Sequence, residues 1–244
     1  MTGNPVLSRN TFTGIQESGR GGVMSIQGTV NKASLLLVIT TVSAAYTWRM
    51  YFNDHQADMM PWVMGGAIAG FVFAMVTCFK KSWSPVTAPI YAVCEGLFIG
   101  GLSSIFEAQM PGIVLQAVML TFGTLAALLG AYKMRFIAAT DNFKRGVFAA
   151  TGGIAILYLA TIVLSFFGIH MPAIYGNGAI GIGFSVIVVI IAAANLVIDF
   201  DFIEQGAAAG APKYMEWYGA FGLLVTLVWL YLEILRLLAK VRQR

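Results

Sequence analysis

Four carboxylates stand where a carboxylate is expensive: Glu95, Asp199, Asp201 and Glu233 lie within or beside long apolar runs. The remaining acids have plainer positions. Glu17, Asp54, Asp58, Glu107, Asp141 and Glu204 fall in tails or connections, and Glu216 opens the last apolar run. An ionisable group at the centre of a membrane helix costs at least about 2.5 kcal/mol on insertion scales, so it faces protein and marks a candidate site. A buried carboxyl group has a shifted proton affinity, and two close together titrate as a pair, so protons can act as a latch between helices. Hard oxygens also suit Ca2+, although a full site takes about six to eight of them. Two or three carboxylates therefore describe a place of transit rather than a tight cage.

The four are not equivalent. Glu95 sits near the middle of its run, directly before the small residues Gly96, Gly100, Gly101, Ser103 and Ser104. A purely structural role for it is a protonated acid hydrogen-bonded between helices. Asp199 and Asp201, two positions apart, point about 200° apart around a helix. One can face inward while the other meets the interface, and Asp201 is the one expected to be solvated. Glu233 has Arg236 at i+3, so a local helix pair competes with a functional role.

The elements that must position these acids follow from composition. Of 244 residues, 58% are hydrophobic and only 11% charged, and the mean hydropathy is +0.78. A soluble domain carries roughly 25% charge, and disorder needs the opposite balance. The sequence therefore predicts an all-α, polytopic membrane protein with seven transmembrane helices, near 33–52, 61–79, 86–106, 112–132, 146–168, 177–199 and 217–238. Helices are required because lipid-exposed backbone must satisfy its own hydrogen bonds. Residues 1–32 lack a signal-peptide core and read as a flexible cytoplasmic tail, with 33–240 as a single seven-helix domain. Pro61, Pro85, Pro111 and Pro172 precede spans, where proline is tolerated. Small-residue pairs Gly66/Gly70, Gly96/Gly100 and Gly181/Gly183 mark faces where helices approach closely.

Basic residues are lopsided. Arg9, Arg20 and Lys32 precede the first span, Lys80 and Lys81 follow the second, and Lys133, Arg135, Lys144 and Arg145 lie between the fourth and fifth. The alternate connections have none, which places the N-terminus in the cytoplasm. Seven crossings then leave Arg236, Lys240, Arg242 and Arg244 at an outside C-terminus, so either the last segment does not cross fully or those charges do not decide topology. The net charge of +4 is thus a topological signal rather than a nucleic-acid face. Cys78 and Cys94 lie in apolar runs and form neither a disulfide framework nor a metal cluster. No Gly-x-Gly-Asp, paired Glu-Glu or His-Glu-x-x-His motif is present, and His55 and His170 lie in connections away from Ser185. No enzyme and no cofactor are expected.

The segment Leu196-Val-Ile-Asp199-Phe-Asp201-Phe-Ile203, followed by Leu230-Tyr-Leu-Glu233-Ile-Leu-Arg236, resembles the closing signature of Bax inhibitor-1 proteins. Asn4-Pro5-Val6-Leu7 and Ala211-Pro-Lys-Tyr-Met-Glu-Trp-Tyr218 resemble the bacterial Bax inhibitor-1/YccA-like branch. The resemblance implies a seven-helix fold with the last helix central, in the bacterial cytoplasmic (inner) membrane. It also implies a pH-sensitive Ca2+ leak governed by an aspartate pair on helices six and seven, with a basic latch at the end of helix two. Asp199 matches the first aspartate, and Lys80 or Lys81 the latch. The second partner is open. Aligning on Leu-Tyr-Leu selects Glu233, whereas aligning on the later Leu-Arg selects Thr226. If the turn lies near Gly210–Lys213, Asp199 and Glu233 would be offset by roughly 14 Å along an antiparallel pair.

The leading expectation is thus a pH-gated leak for Ca2+ or other cations through a lipid bilayer, with protons as the signal. Asp199 is its inner gate and transient Ca2+ site together with Glu233, and Glu95 and Asp201 are further polar stations. The alternative is a non-enzymatic interaction protein that modulates a membrane protease or stress survival through its N-terminal tail.

Overall fold

The computed structural model describes residues 22–53, 56–168 and 176–243. Among them are seven helices long and apolar enough to cross a membrane. These are α1 (Ile26–Phe52), α2 (Gln56–Phe79), α3 (Ser84–Gln109), α4 (Ile113–Lys133), α5 (Asp141–Phe166), α6 (Ala179–Ala208) and α7 (Met215–Arg242). A short 3-10 turn, Lys81–Trp83, joins α2 to α3. The chain is an integral, multi-pass, all-helical membrane protein. Its last helix is the most buried of the seven.

Each expected span matches one helix, but the ends differ where local chemistry extends them. Helix α1 begins at Ile26, inside the stretch read as tail, because Ser25 caps it with its hydroxyl, accepting from the Gly28 N–H at 3.0 Å. The part of that tail up to residue 21 lies outside the described residues. Thr140 similarly caps α5 and starts it at Asp141. Pro61 lies inside α2 rather than before it, and Pro172 lies outside the described residues. Glu107 closes the α3–α4 turn, its carboxylate accepting from the N–H groups of Gly112 (2.6 Å) and Val114 (3.1 Å). Helix α6 runs past 199 to Ala208 and stops at Gly210, whose φ of +66° is readily adopted only without a side chain.

The described chain divides into two compact units that share the two longest helices. The first takes the described residues up to 114 together with 202–225. In it α3 packs against both α1 and α2. The contact is backbone to backbone. A Cβ on Gly96 would lie 2.3 Å from the Thr40 carbonyl oxygen, one on Gly100 2.1 Å from that of Ala44, and one on Gly66 2.6 Å from that of Cys94. Thr40 and Thr47 donate across the same seam to the carbonyls of Ala92 (3.2 Å) and Leu97 (3.1 Å). Gly183 of α6 does not continue this pattern: nothing lies within 4 Å of a Cβ there.

The second unit comprises 115–201 and 226–243 of the described chain. Its α6 and α7 segments run antiparallel in a register fixed by polar contacts. Asn177 donates to Gln243 (2.9 Å), and Lys240 donates to the Gly181 carbonyl (3.1 Å) and the Ser185 hydroxyl (2.9 Å). Asn195 joins α6 to α5 by donating to Thr151 at 2.9 Å. Helix α7 is unbroken over 28 residues, about 42 Å at 1.5 Å per residue, so it is long enough to cross.

Candidate functional site

Asp199 lies on α6, 8% exposed, and its carboxyl is hydrogen-bonded to the side chain of Thr226 on α7. Its second oxygen, Oδ2, is buried and has no hydrogen-bond partner among the described residues. The pairing follows from the register that Asn177–Gln243 and Lys240–Gly181 set further along the same two helices. Thr226 is therefore the residue facing Asp199, as the alignment on the later Leu-Arg expects. Glu233, seven residues further along α7, is about 10 Å away along the axis.

Glu233 is held elsewhere. At 2% exposed it accepts from the Tyr158 hydroxyl of α5 (3.0 Å) and from Arg236 on both oxygens (2.9 and 3.0 Å). Arg236 also donates to the Tyr158 oxygen at 2.8 Å. This three-membered group is the i+3 helix pair extended to a neighbouring helix, and its hydrogen bonds do not bring Glu233 to Asp199.

Asp201, expected to be the solvated acid, is instead ion-paired with Lys144 in the first turn of α5. Lys144 is itself only 8% exposed. The 200° argument holds, since Asp199 and Asp201 turn to different helices, but the outward one meets a lysine that sequence placed in a connection. With Lys144 buried and Asp201 half-buried, this is a structural tie rather than a solvated face.

Glu95 belongs to the first unit. Its carboxylate is hydrogen-bonded to Tyr91 one turn earlier, and Oε2 lies 3.4 Å from where a Cβ on Gly70 would be. Tyr91 in turn packs edge-on to Phe221 of α7 at 5.0 Å between ring centroids. Lys80 lies over the Trp83 ring (4.5 Å) and Lys81 over the Tyr218 ring (5.5 Å), both within that unit. Among the described residues no three His, Cys, Asp or Glu side chains gather as a metal site would require.

The whole described chain matches the family model for Bax inhibitor 1 like proteins over residues 4–243. The chain belongs to that family. Neither a curated protein nor a solved structure matches it. In this chain the acid on α6 faces a hydroxyl on α7. That arrangement has defined chemistry. A threonine hydroxyl donates to an ionised carboxylate and can equally accept from a protonated one. Oδ2 is left as the position where a proton or a cation can add.

Sequence reasoning did not single out Glu216 or Lys240. Glu216 is fully buried and accepts from the Ser25 N–H and hydroxyl (2.9 Å each), from Lys213 (2.7 Å) and from Lys32. The Lys213–Glu216 spacing of i,i+3 was the one local signal. The Lys240 contacts join residues 55 and 59 positions apart in the chain, which no local pattern reveals.

Proposed function

We propose that this Bax inhibitor-like protein is a non-enzymatic cation leak of the membrane, passing Ca2+, with Asp199 as its proton-sensitive gate. One observation carries the reading: the Asp199 oxygen Oδ2, buried in a membrane-length helix without a hydrogen-bond partner among the described residues. An ionised carboxylate in that place calls for a cation or further donors, whereas a neutral acid needs only an acceptor. Proton and cation therefore compete for one oxygen. The gate is an aspartate–threonine clasp, with Glu233 tying α7 to α5 rather than serving as its second acid. Asn4–Leu7 and Ala211–Tyr218 support placement in the YccA-like bacterial branch. The absence of Lys and Arg from the alternate connections supports a cytoplasmic N-terminus in the inner membrane.

The test is flux of Ca2+, K+ and H+ into liposomes containing the full chain, measured across pH for Asp199→Asn, Thr226→Val, Glu233→Gln and Glu95→Gln. Wild-type Ca2+ flux should vary with pH, and Asp199→Asn should abolish that variation. Thr226→Val should shift the pH of the transition, while Glu233→Gln should leave it in place. Flux equal to that of empty liposomes, or unchanged by Asp199→Asn, would sink the reading.

A further inference from the structure

The start of α7 gathers positive charge. Within the first unit, Lys32 of α1, Lys81 after α2 and Lys213 meet side chains of residues 216–218, and Lys80 lies on Trp83. Lys32 ion-pairs with Glu216 and lies 5.5 Å from the Trp217 ring centroid. Lys213 reaches the same carboxylate, Lys81 lies over Tyr218, and Lys80 lies over Trp83. Ser84, next to Trp83, fixes that corner by donating to the Tyr214 carbonyl at 2.9 Å. Both Glu216 oxygens are already engaged by Lys32, Lys213 and Ser25.

The outer members of the group are accessible. Lys80 and Lys213 are exposed, Trp83 is 53% exposed and Phe79 81% exposed. All of them sit at the ends of apolar spans, the level at which phospholipid phosphates lie and where tryptophan rings settle. Lysines there attract acidic lipids, and their aliphatic stems lie along apolar surface while the ammonium reaches the phosphate. We infer that Lys80, Lys81, Lys213 and Trp83 form a binding surface for the headgroup of an anionic phospholipid. Lys32 is the inner pillar of this surface, its charge committed to Glu216. The inference does not depend on ion conduction.

The full chain in nanodiscs of phosphatidylcholine, with and without phosphatidylglycerol, provides the test. Retained phosphatidylglycerol is read by native mass spectrometry, and the thermal midpoint is read in parallel. The variant Lys80→Gln/Lys81→Gln/Lys213→Gln should lose affinity by about a hundredfold, about fivefold for each lysine near an anionic surface, and should lose the stabilisation that phosphatidylglycerol gives the wild type. Replacing the same three lysines with arginine should retain both. Lys133→Gln/Arg135→Gln/Arg145→Gln removes equal charge elsewhere and should also retain both; equal loss there would reduce the effect to net charge and overturn the assignment. Millimolar inorganic phosphate giving the same stabilisation in phosphatidylcholine discs would point to a soluble ligand and overturn it as well. Should the triple variant not fold, the exposed Lys80→Gln alone decides: unchanged lipid retention refutes the surface.

Discussion

A hydroxyl and a carboxyl differ by one titratable proton, and Thr226 puts the hydroxyl opposite Asp199. The proposed gate, having a single acid, would titrate in one step, whereas two interacting acids titrate in two macroscopic steps. Thr226→Asp is therefore expected to broaden the pH profile of Ca2+ flux or split it in two, and an unchanged one-step profile would contradict the clasp. Asp199 was legible in the sequence because an acid in an apolar run has few explanations. Its partner was legible only as one of two alignments, since the register that selects Thr226 is set by contacts such as Asn177–Gln243, 66 residues apart. Glu216 was read merely as an acid at a span's start, because Lys32 lies 184 residues from it. Truncating a buried ion-pair partner costs about 3–5 kcal/mol by stranding the other charge. Glu216→Ala should accordingly lower the thermal midpoint clearly, with Glu216→Gln lowering it less, since the amide oxygen still accepts from Ser25. Equal midpoints for wild type and Glu216→Ala would contradict the role assigned to this carboxylate.

At the scale of helices, the apolar runs specified where the chain crosses, and caps and turns decided where each helix ends. Ser25 and Thr140 start α1 and α5 earlier than hydropathy alone suggests, and Gly210 stops α6 later. The glycine spacing on α2 and α3 correctly marked close approach because glycine there meets backbone oxygen, which cannot move aside as a flexible side chain can. Gly183, two residues rather than four from its partner Gly181, meets nothing within 4 Å of a Cβ, so a small residue in an apolar run does not by itself mark a seam. Inserting side-chain bulk into a well-packed contact typically costs about 1–3 kcal/mol or more. Gly100→Leu should therefore reduce the monodisperse fraction on gel filtration sharply, whereas Gly183→Ala should not, and equal behaviour of the two variants would refute the seam.

For the molecule as a whole, the 11% charge that excluded a soluble protein also made each internal ion informative. The sequence did not disclose that the seven helices divide into two units, because that division falls within α6 and α7 rather than at any linker. Each unit draws on both helices, so a chain ended after Gly210 lacks part of both. Such a chain should be recovered only as aggregate or be degraded, and a monodisperse, heat-stable product would contradict this. The Ser25–Glu216 contact also has a consequence in time. Its two ends are 191 residues apart, so at about 5–20 residues per second of synthesis they are made roughly ten to forty seconds apart. During that interval the insertion machinery holds an opening helix whose Ser25 N–H and Lys32 ammonium have not yet received their carboxylate. The ribosome must pass Glu216 before the first helix can be locked.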